Sequence, residues 1–110
     1  MNKINAQLIK GVYPTLILKL LTSHSEMYGY EIEKNIRILS DNGITITEGS
    51  LYPILHKLEE QGLITSKTRT VKNRARKYYS ITKFGLKEFR LRKNEVVSLY
   101  DSLIKFLAKG

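Results

Sequence analysis

The hydrophobic pattern changes its period at Gly62, and that switch constrains the fold more than any other feature. Upstream, apolar residues recur at three- and four-residue spacing, as helices with one buried face require. Downstream, Leu63 to Val71 is rich in Thr, Ile and Val and reads as a strand, and Arg76 to Thr82 reads as another. Lys72-Asn73-Arg74-Ala75 between them reads as a hairpin tip. In the second strand Tyr79 and Ile81 share the core face, while Arg76, Tyr78 and Ser80 share the other.

Three helices precede the switch. Asn5 to Thr22 carries Leu8, Val12, Leu16, Ile17, Leu20 and Leu21 at helical spacing. Pro14 removes a backbone bond inside it, which predicts a kink or restart near Tyr13-Pro14. Ser23-His24-Ser25 reads as a turn. A second helix is predicted from about Tyr28 to Ser40, with Ile32, Ile36 and Leu39 on one face and Gly43 as the left-handed stop. Thr47 is placed to cap a third helix that buries Leu51, Ile54, Leu55 and Leu58 and ends at Gly62. Pro53 falls early in that helix, where a missing N–H matters least.

After Thr82, itself a capping residue, the helical period returns and runs to about Ala108. A helix of that length spans roughly 39 Å and overhangs any core the first 80 residues can build. Phe89, Val96, Tyr100, Leu103 and Leu107 form one seam along it, interrupted by Lys93. A seam with nothing in cis to cover it predicts self-association, the alternative being a fold back onto the first helix. The chain therefore reads as one cooperative unit with two parts, residues 1–82 and the dimerisation helix 83–110.

Charge then narrows the partners. The net charge is +9, yet residues 65–93 alone carry eleven Lys and Arg against Glu88. Such a block repels itself unless an anion lies opposite, as nucleic acid or an anionic membrane surface would. The block lies mostly on strands with Thr and Tyr, not on a Leu- or Trp-faced amphipathic helix, which argues against a membrane.

Helix, helix, helix, strand, strand, long helix is an α+β, mostly α architecture. The second and third helices have the outline of a helix-turn-helix and the basic hairpin that of a wing. A helix presented by its N-terminal half fits a DNA major groove about 12 Å wide, and hairpin Arg and Lys reach phosphates or the minor groove.

Individual motifs extend the reading. Tyr28-Gly29-Tyr30-Glu31-Ile32, Gly49-Ser50-Leu51-Tyr52-Pro53-Ile54-Leu55, Leu58-Glu59, Gly62-Leu63-Ile64 and Arg76-Lys77-Tyr78-Tyr79-Ser80-Ile81-Thr82 with Gly85 occur in that order. Together they resemble the PadR-like family of bacterial transcriptional regulators, over about residues 10 to 90, in its smaller branch with a single C-terminal helix. The resemblance implies a winged-helix repressor that dimerises through its last helix on a pseudo-palindromic operator. It places Ser50, Tyr52 and Pro53 at the start of the recognition helix and Arg74, Arg76 and Lys77 on the wing.

The residues themselves agree. Ser50 and the Tyr52 phenol suit phosphate or base-edge hydrogen bonds, and His56 and Lys57 follow one turn later. Tyr52 also fits as a half-buried packing residue, and His56 as a plain surface residue. Tyr78 suits a structural or a DNA-contacting role equally. Tyr30 and Glu31 fit better as residues that fix the angle between the second and third helices, with Gly29 permitting close approach. The resemblance further implies a small-molecule effector, since some short members bind flat aromatic drugs between their last helices using Trp. This chain has no Trp and offers Val96, Val97, Leu99 and Tyr100 there, with Arg92 and Lys93 one turn before. Those cations would repel a planar cation and leave a smaller or anionic effector, another trigger, or none.

Catalysis fits poorly. The chain has no Cys, its two histidines stand 32 residues apart without a carboxylate at metal-ligand spacing, and no two of its seven glycines are closer than six residues. No metal or other cofactor is expected. A winged-helix module for a protein or RNA partner is the competing function, because fold alone does not decide. RNA's deep, narrow major groove would not admit the third helix. With no secretion signal at Met1-Asn2-Lys3-Ile4, a cytoplasmic location is expected.

Overall fold

In the computed structural model residues 3–109 are described; Met1, Asn2 and Gly110, at the ends of the two sequence-predicted parts, lie outside them. The order is α1 (Ala6–Ile9), α2 (Tyr13–Ser23), β1 (Met27–Tyr28), α3 (Gly29–Leu39), α4 (Glu48–Glu60), β2 (Ile64–Val71), β3 (Arg74–Ile81) and α5 (Lys83–Ala108). The predicted restart occurs: the first helix breaks after Ile9, and α2 begins at Tyr13 with Pro14 in its first turn, where its missing N–H is tolerated. Ser23 is the last residue of α2 rather than part of the turn.

Ile17, Leu18 and Leu21 of α2 are fully buried against Ile32 of α3 and Leu51, Leu55 and Leu58 of α4, with Met27, Leu63, Ile64 and Tyr79 closing the core from the sheet side. Two residues depart from expectation here. Leu39 is 70% exposed: it stands at the rim of a shallow cleft beside Leu16, Lys19 and Leu20 of α2, flanked but not covered, whereas Ile36 is buried. Gly43 is not the left-handed stop; Asp41 and Asn42 take φ of 53° and 64° instead, as short polar side chains can. The turn between α3 and α4 is held by Ser40, whose Oγ donates to the Ile36 carbonyl at 2.7 Å and accepts from the Ile44 N–H at 2.9 Å. The Tyr13 phenol donates to the Thr45 carbonyl at 2.7 Å and ties the same loop to α2.

The sheet has three strands, not two, in the order β1-β3-β2 and antiparallel throughout. The unpredicted strand β1 pairs Met27 with Tyr79 and Tyr28 with Tyr78. The hairpin tip is shorter than expected: Lys72 and Asn73 alone form it, with φ of 51° and 65°, and Arg74 and Ala75 already pair with β2. Two successive positive φ values suit the tight two-residue turns that match strand twist.

Both predicted caps form, Thr47 Oγ1 accepting from the Ser50 N–H and Thr82 Oγ1 from the Gly85 N–H. Gly62, at φ 77°, ends α4. α5 has its predicted length, and its projection beyond the core stretches the molecule to 58 × 31 × 21 Å. Its first turns pack on α2 and against Leu63, just ahead of β2, burying Gly85 and Phe89. Phe89 is therefore part of the chain's own core, and the exposed seam begins only at Val96. No helix among the described residues is long and apolar enough to cross a membrane.

Candidate nucleic-acid interface

The capped start of α4 decides what the protein shows to solvent. At about 100° per residue, Gly49, Pro53, His56 and Glu60 lie opposite the buried Leu51, Leu55 and Leu58. Ser50 and Lys57 flank this outward face on one side and Tyr52 on the other. All seven are exposed. Gly49 brings backbone to the surface at the helix start, so a bound strand can come close there. Thr47 Oγ1 donates to Ser50 Oγ at 3.1 Å, which leaves the Ser50 proton free to donate outward. His56 Nε2 lies 3.6 Å from Glu60 Oε2, both largely exposed, so a carboxylate does stand at ligand spacing from this histidine, against the sequence expectation, although no third ligand joins the pair among the described residues.

Tyr52 combines both roles its position allowed. It is 47% exposed, yet its phenol covers Gly29, where an added Cβ would meet Tyr52 Oη at 2.5 Å. Gly29 thus sets the approach of α3 to α4, as expected. At the other end of α3's first turn, the Glu31 carboxylate accepts from the Tyr28 N–H at 3.1 Å.

Glu59, absent from the sequence-predicted site, links α4 to the wing. Its Oε2 accepts from Ser66 Oγ at 2.5 Å and its Oε1 lies 3.7 Å from Lys77 Nζ. Lys77 also sits 5.8 Å above the Tyr79 ring, so its charge is partly matched within the chain. Burial, then Glu59 and Tyr52, push the Tyr79 phenol above its usual range, keeping it neutral. The Leu58-Glu59 motif was visible in the sequence, but its long-range partners were not.

The opposite face of the sheet carries the remaining wing cations. Arg76 stacks over the Tyr28 ring at 4.6 Å and Arg69 over Tyr78 at 4.3 Å. Tyr28 and Tyr78 meet edge to face at 5.5 Å, and Tyr30 stacks on Tyr28 at 6.3 Å. Arg69 also pairs with Glu26. Arg74 is exposed and has no carboxylate partner among the described residues. The structure thus brings Ser50, Tyr52, Pro53, His56 and Lys57 together on one helix face, with Lys77 beside it; Arg74 and Arg76 look away from that helix. The same outward face borders an open groove of about 690 Å³ between α4 and α1, lined by Gly49, Ser50, Pro53 and Lys57 and edged by Lys10 and Arg92.

Along α5, Tyr100, Leu103 and Leu107 are 65%, 48% and 76% exposed and Val96 is half-buried. No group of three or more His, Cys, Asp and Glu able to hold a metal occurs among the described residues.

Known proteins share this fold. A transcriptional regulator from Clostridium thermocellum is 37% identical and superimposes with a TM-score of 0.84 over 94% of this chain and 97% of its own. A PadR family transcriptional regulator from Eggerthella lenta is 31% identical, with a TM-score of 0.72 over 96% and 93%. A transcriptional regulator of Mycobacterium tuberculosis is 47% identical over 47 residues, 43% of this chain and 44% of that protein. Residues 17–91, from α2 through the wing into α5, match the PadR-like family of transcriptional regulators, and the chain belongs to that family as a DNA-binding winged-helix regulator of transcription rather than an enzyme.

Proposed function

We propose that the protein is a homodimeric repressor that binds a pseudo-palindromic operator, α4 reading bases in the major groove while wing cations hold phosphates. The observation that carries this reading is the outward face of α4. It combines a close-approach glycine, hydrogen-bonding Ser50, Tyr52 and His56, and the cation Lys57, next to a hairpin of exposed basic residues. Dimerisation is supported by the projecting half of α5, whose Tyr100, Leu103 and Leu107 find no cover among the described residues. In such a dimer residues 1–82 form the DNA-binding part and 83–110 the dimerisation helix. Two copies of α4 would fall about 34–36 Å apart, one helical turn of DNA. Footprinting should then show two protected half-sites at that spacing; a single unrepeated half-site would contradict the dimer geometry.

The wing and helix contributions separate by salt dependence. Lys57→Ala and Arg74→Ala should each lower the slope of log affinity against log salt by about 0.9 for every phosphate left unneutralised, nearly independently of sequence. Titrations over a salt series check this, and an unchanged slope removes that residue from the interface.

A further inference from the structure

The connection from α3 to α4 is held differently along its length. Its first half is fastened at Ser40, whose Oγ accepts from the Ile44 N–H at 2.9 Å, and to the N-terminal segment, where the Ile4 N–H donates to the Gly43 carbonyl at 2.8 Å. From Ile44 to Thr47 the chain has no regular structure. Ile46 anchors this stretch by burial in the core, and the Tyr13 phenol anchors it by donating to the Thr45 carbonyl at 2.7 Å. Among the described residues that carbonyl has no other donor. Thr45 stands two residues ahead of Thr47, whose hydroxyl accepts from the Ser50 N–H and whose carbonyl accepts from the Ser50 and Leu51 N–H groups at 3.1 and 2.9 Å. The phenol therefore acts at the root of α4, just before the residues that face outward.

Tyr13 is buried in the first turn of α2, and α2 also carries the first turns of α5. A phenylalanine would fill the same core space. A buried hydroxyl adds no apolar packing and requires a partner, so what it contributes here is orientation. It ties the start of α4 to the helix that bears α5, where the loop alone would tie it only to α3. We propose that Tyr13 is a specificity-determining residue that never touches DNA: its phenol holds the root of α4 so that Ser50 and Tyr52 meet base edges in register, a role that rests on the operator-binding reading above and deepens it. Hydrogen bonds to base edges weaken steeply outside a narrow range of distance and angle. Phosphate contacts position the protein without reading sequence, and long flexible cations follow a small displacement. A loosened α4 root therefore costs discrimination and leaves general DNA binding in place.

Tyr13→Phe keeps the ring and removes the hydroxyl. Wild type and variant are titrated, well below their melting temperatures and over a salt series, with a duplex enriched from a random pool and a scrambled duplex of equal length. The preference for the enriched duplex should fall about tenfold in the variant, roughly one well-made base contact. Affinity for the scrambled duplex should stay within about twofold and both salt slopes unchanged, because no charge is removed. Amide exchange on the free protein reads the same tie without DNA. The Ser50 and Leu51 N–H groups should exchange about fivefold faster in the variant, about what one net hydrogen bond contributes, with Leu55 and Leu58 protected as before. Ile64→Val, which trims the core on the sheet side at a comparable cost in stability, should change neither reading. A preference within about twofold of wild type would overturn the proposal, as would unchanged exchange at Ser50 and Leu51. An equal loss of preference in Ile64→Val would also overturn it, reducing the effect to stability. A wild-type protein with no preference would bring down the operator-binding reading and this proposal with it, whereas the other contrary results strike Tyr13 alone.

Discussion

Gly85→Ala lowers the melting temperature by roughly 12 °C or more. A Cβ built at Gly85 lies 2.0 Å from the Leu63 carbonyl oxygen and 2.8 Å from Ile81 Cγ1. The first of these atoms is backbone and cannot turn aside, so α5 must move away from the start of β2. That carbonyl is already held by the Thr82 N–H at 3.1 Å and the Thr82 hydroxyl at 3.1 Å, and Phe89 lies one turn further along. Overpacking of this kind costs about 3 kcal/mol or more, and each kcal/mol is worth about 4–8 °C in a domain approaching this size. Thermal unfolding followed by circular dichroism measures it. A variant melting within about 2 °C of wild type would mean that α5 does not sit on the sheet as described. Gly11→Ala, where an added Cβ meets nothing within 4 Å, is the matching control.

If the chain pairs through α5 as proposed, Leu103→Glu should leave it a monomer and lower affinity for the proposed operator by about a hundredfold or more. Leu103 stands 48% exposed in the middle of a seam that also shows Leu99, Tyr100, Ile104, Phe106 and Leu107 to solvent. A carboxylate there would be buried twice across a two-fold interface, unpaired and facing its own copy. Losing the dimer removes the effective concentration that joins two half-sites, which is worth about 10² to 10⁴ in affinity. Light scattering and a binding titration on the same sample read both effects. A variant still dimeric would place the interface elsewhere than this seam. The core beneath is untouched by the change, so the melting of the winged-helix part should respond only through the weaker association.

How much of this was legible in the sequence follows from the range of the interactions. The helices of α2 through α4, the two long strands and α5 are specified by local periodicity and by Thr47, Gly62 and Thr82, each acting within a few residues. β1 was not legible because two residues carry no period; Met27 and Tyr28 become a strand only through Tyr79 and Tyr78, fifty residues on. Leu39 misled for a related reason. Its spacing from Ile32 and Ile36 is helical, but burial needs a covering neighbour as well as a face, and α2 flanks Leu39 across an open cleft without covering it. Gly43 misled because Asp41 and Asn42 could take the left-handed conformation in its place.

The candidate site divides along the same line. The α4 residues share a helix face by spacing alone, so Ser50, Pro53, His56 and Lys57 are legible together. The wing is legible as charge but not as two faces. Charge counting cannot show that Lys77 faces Glu59 while Arg76 lies on Tyr28, because those partners come from α4 and from the short strand β1. Phe89 falls in the dimer seam by its spacing, although packing of α5 on α2 covers it in cis.

The claim that α4 reads sequence while basic side chains hold the backbone is tested most directly by fluorescence anisotropy. The protein would be titrated at two salt concentrations against a duplex enriched from a random pool and against a scrambled duplex of equal length. The account predicts a preference of about a thousandfold or more for the enriched duplex, with affinity for both falling steeply as salt rises. Equal affinity for the two duplexes at both salt concentrations would contradict it, leaving a basic surface that binds DNA without reading it.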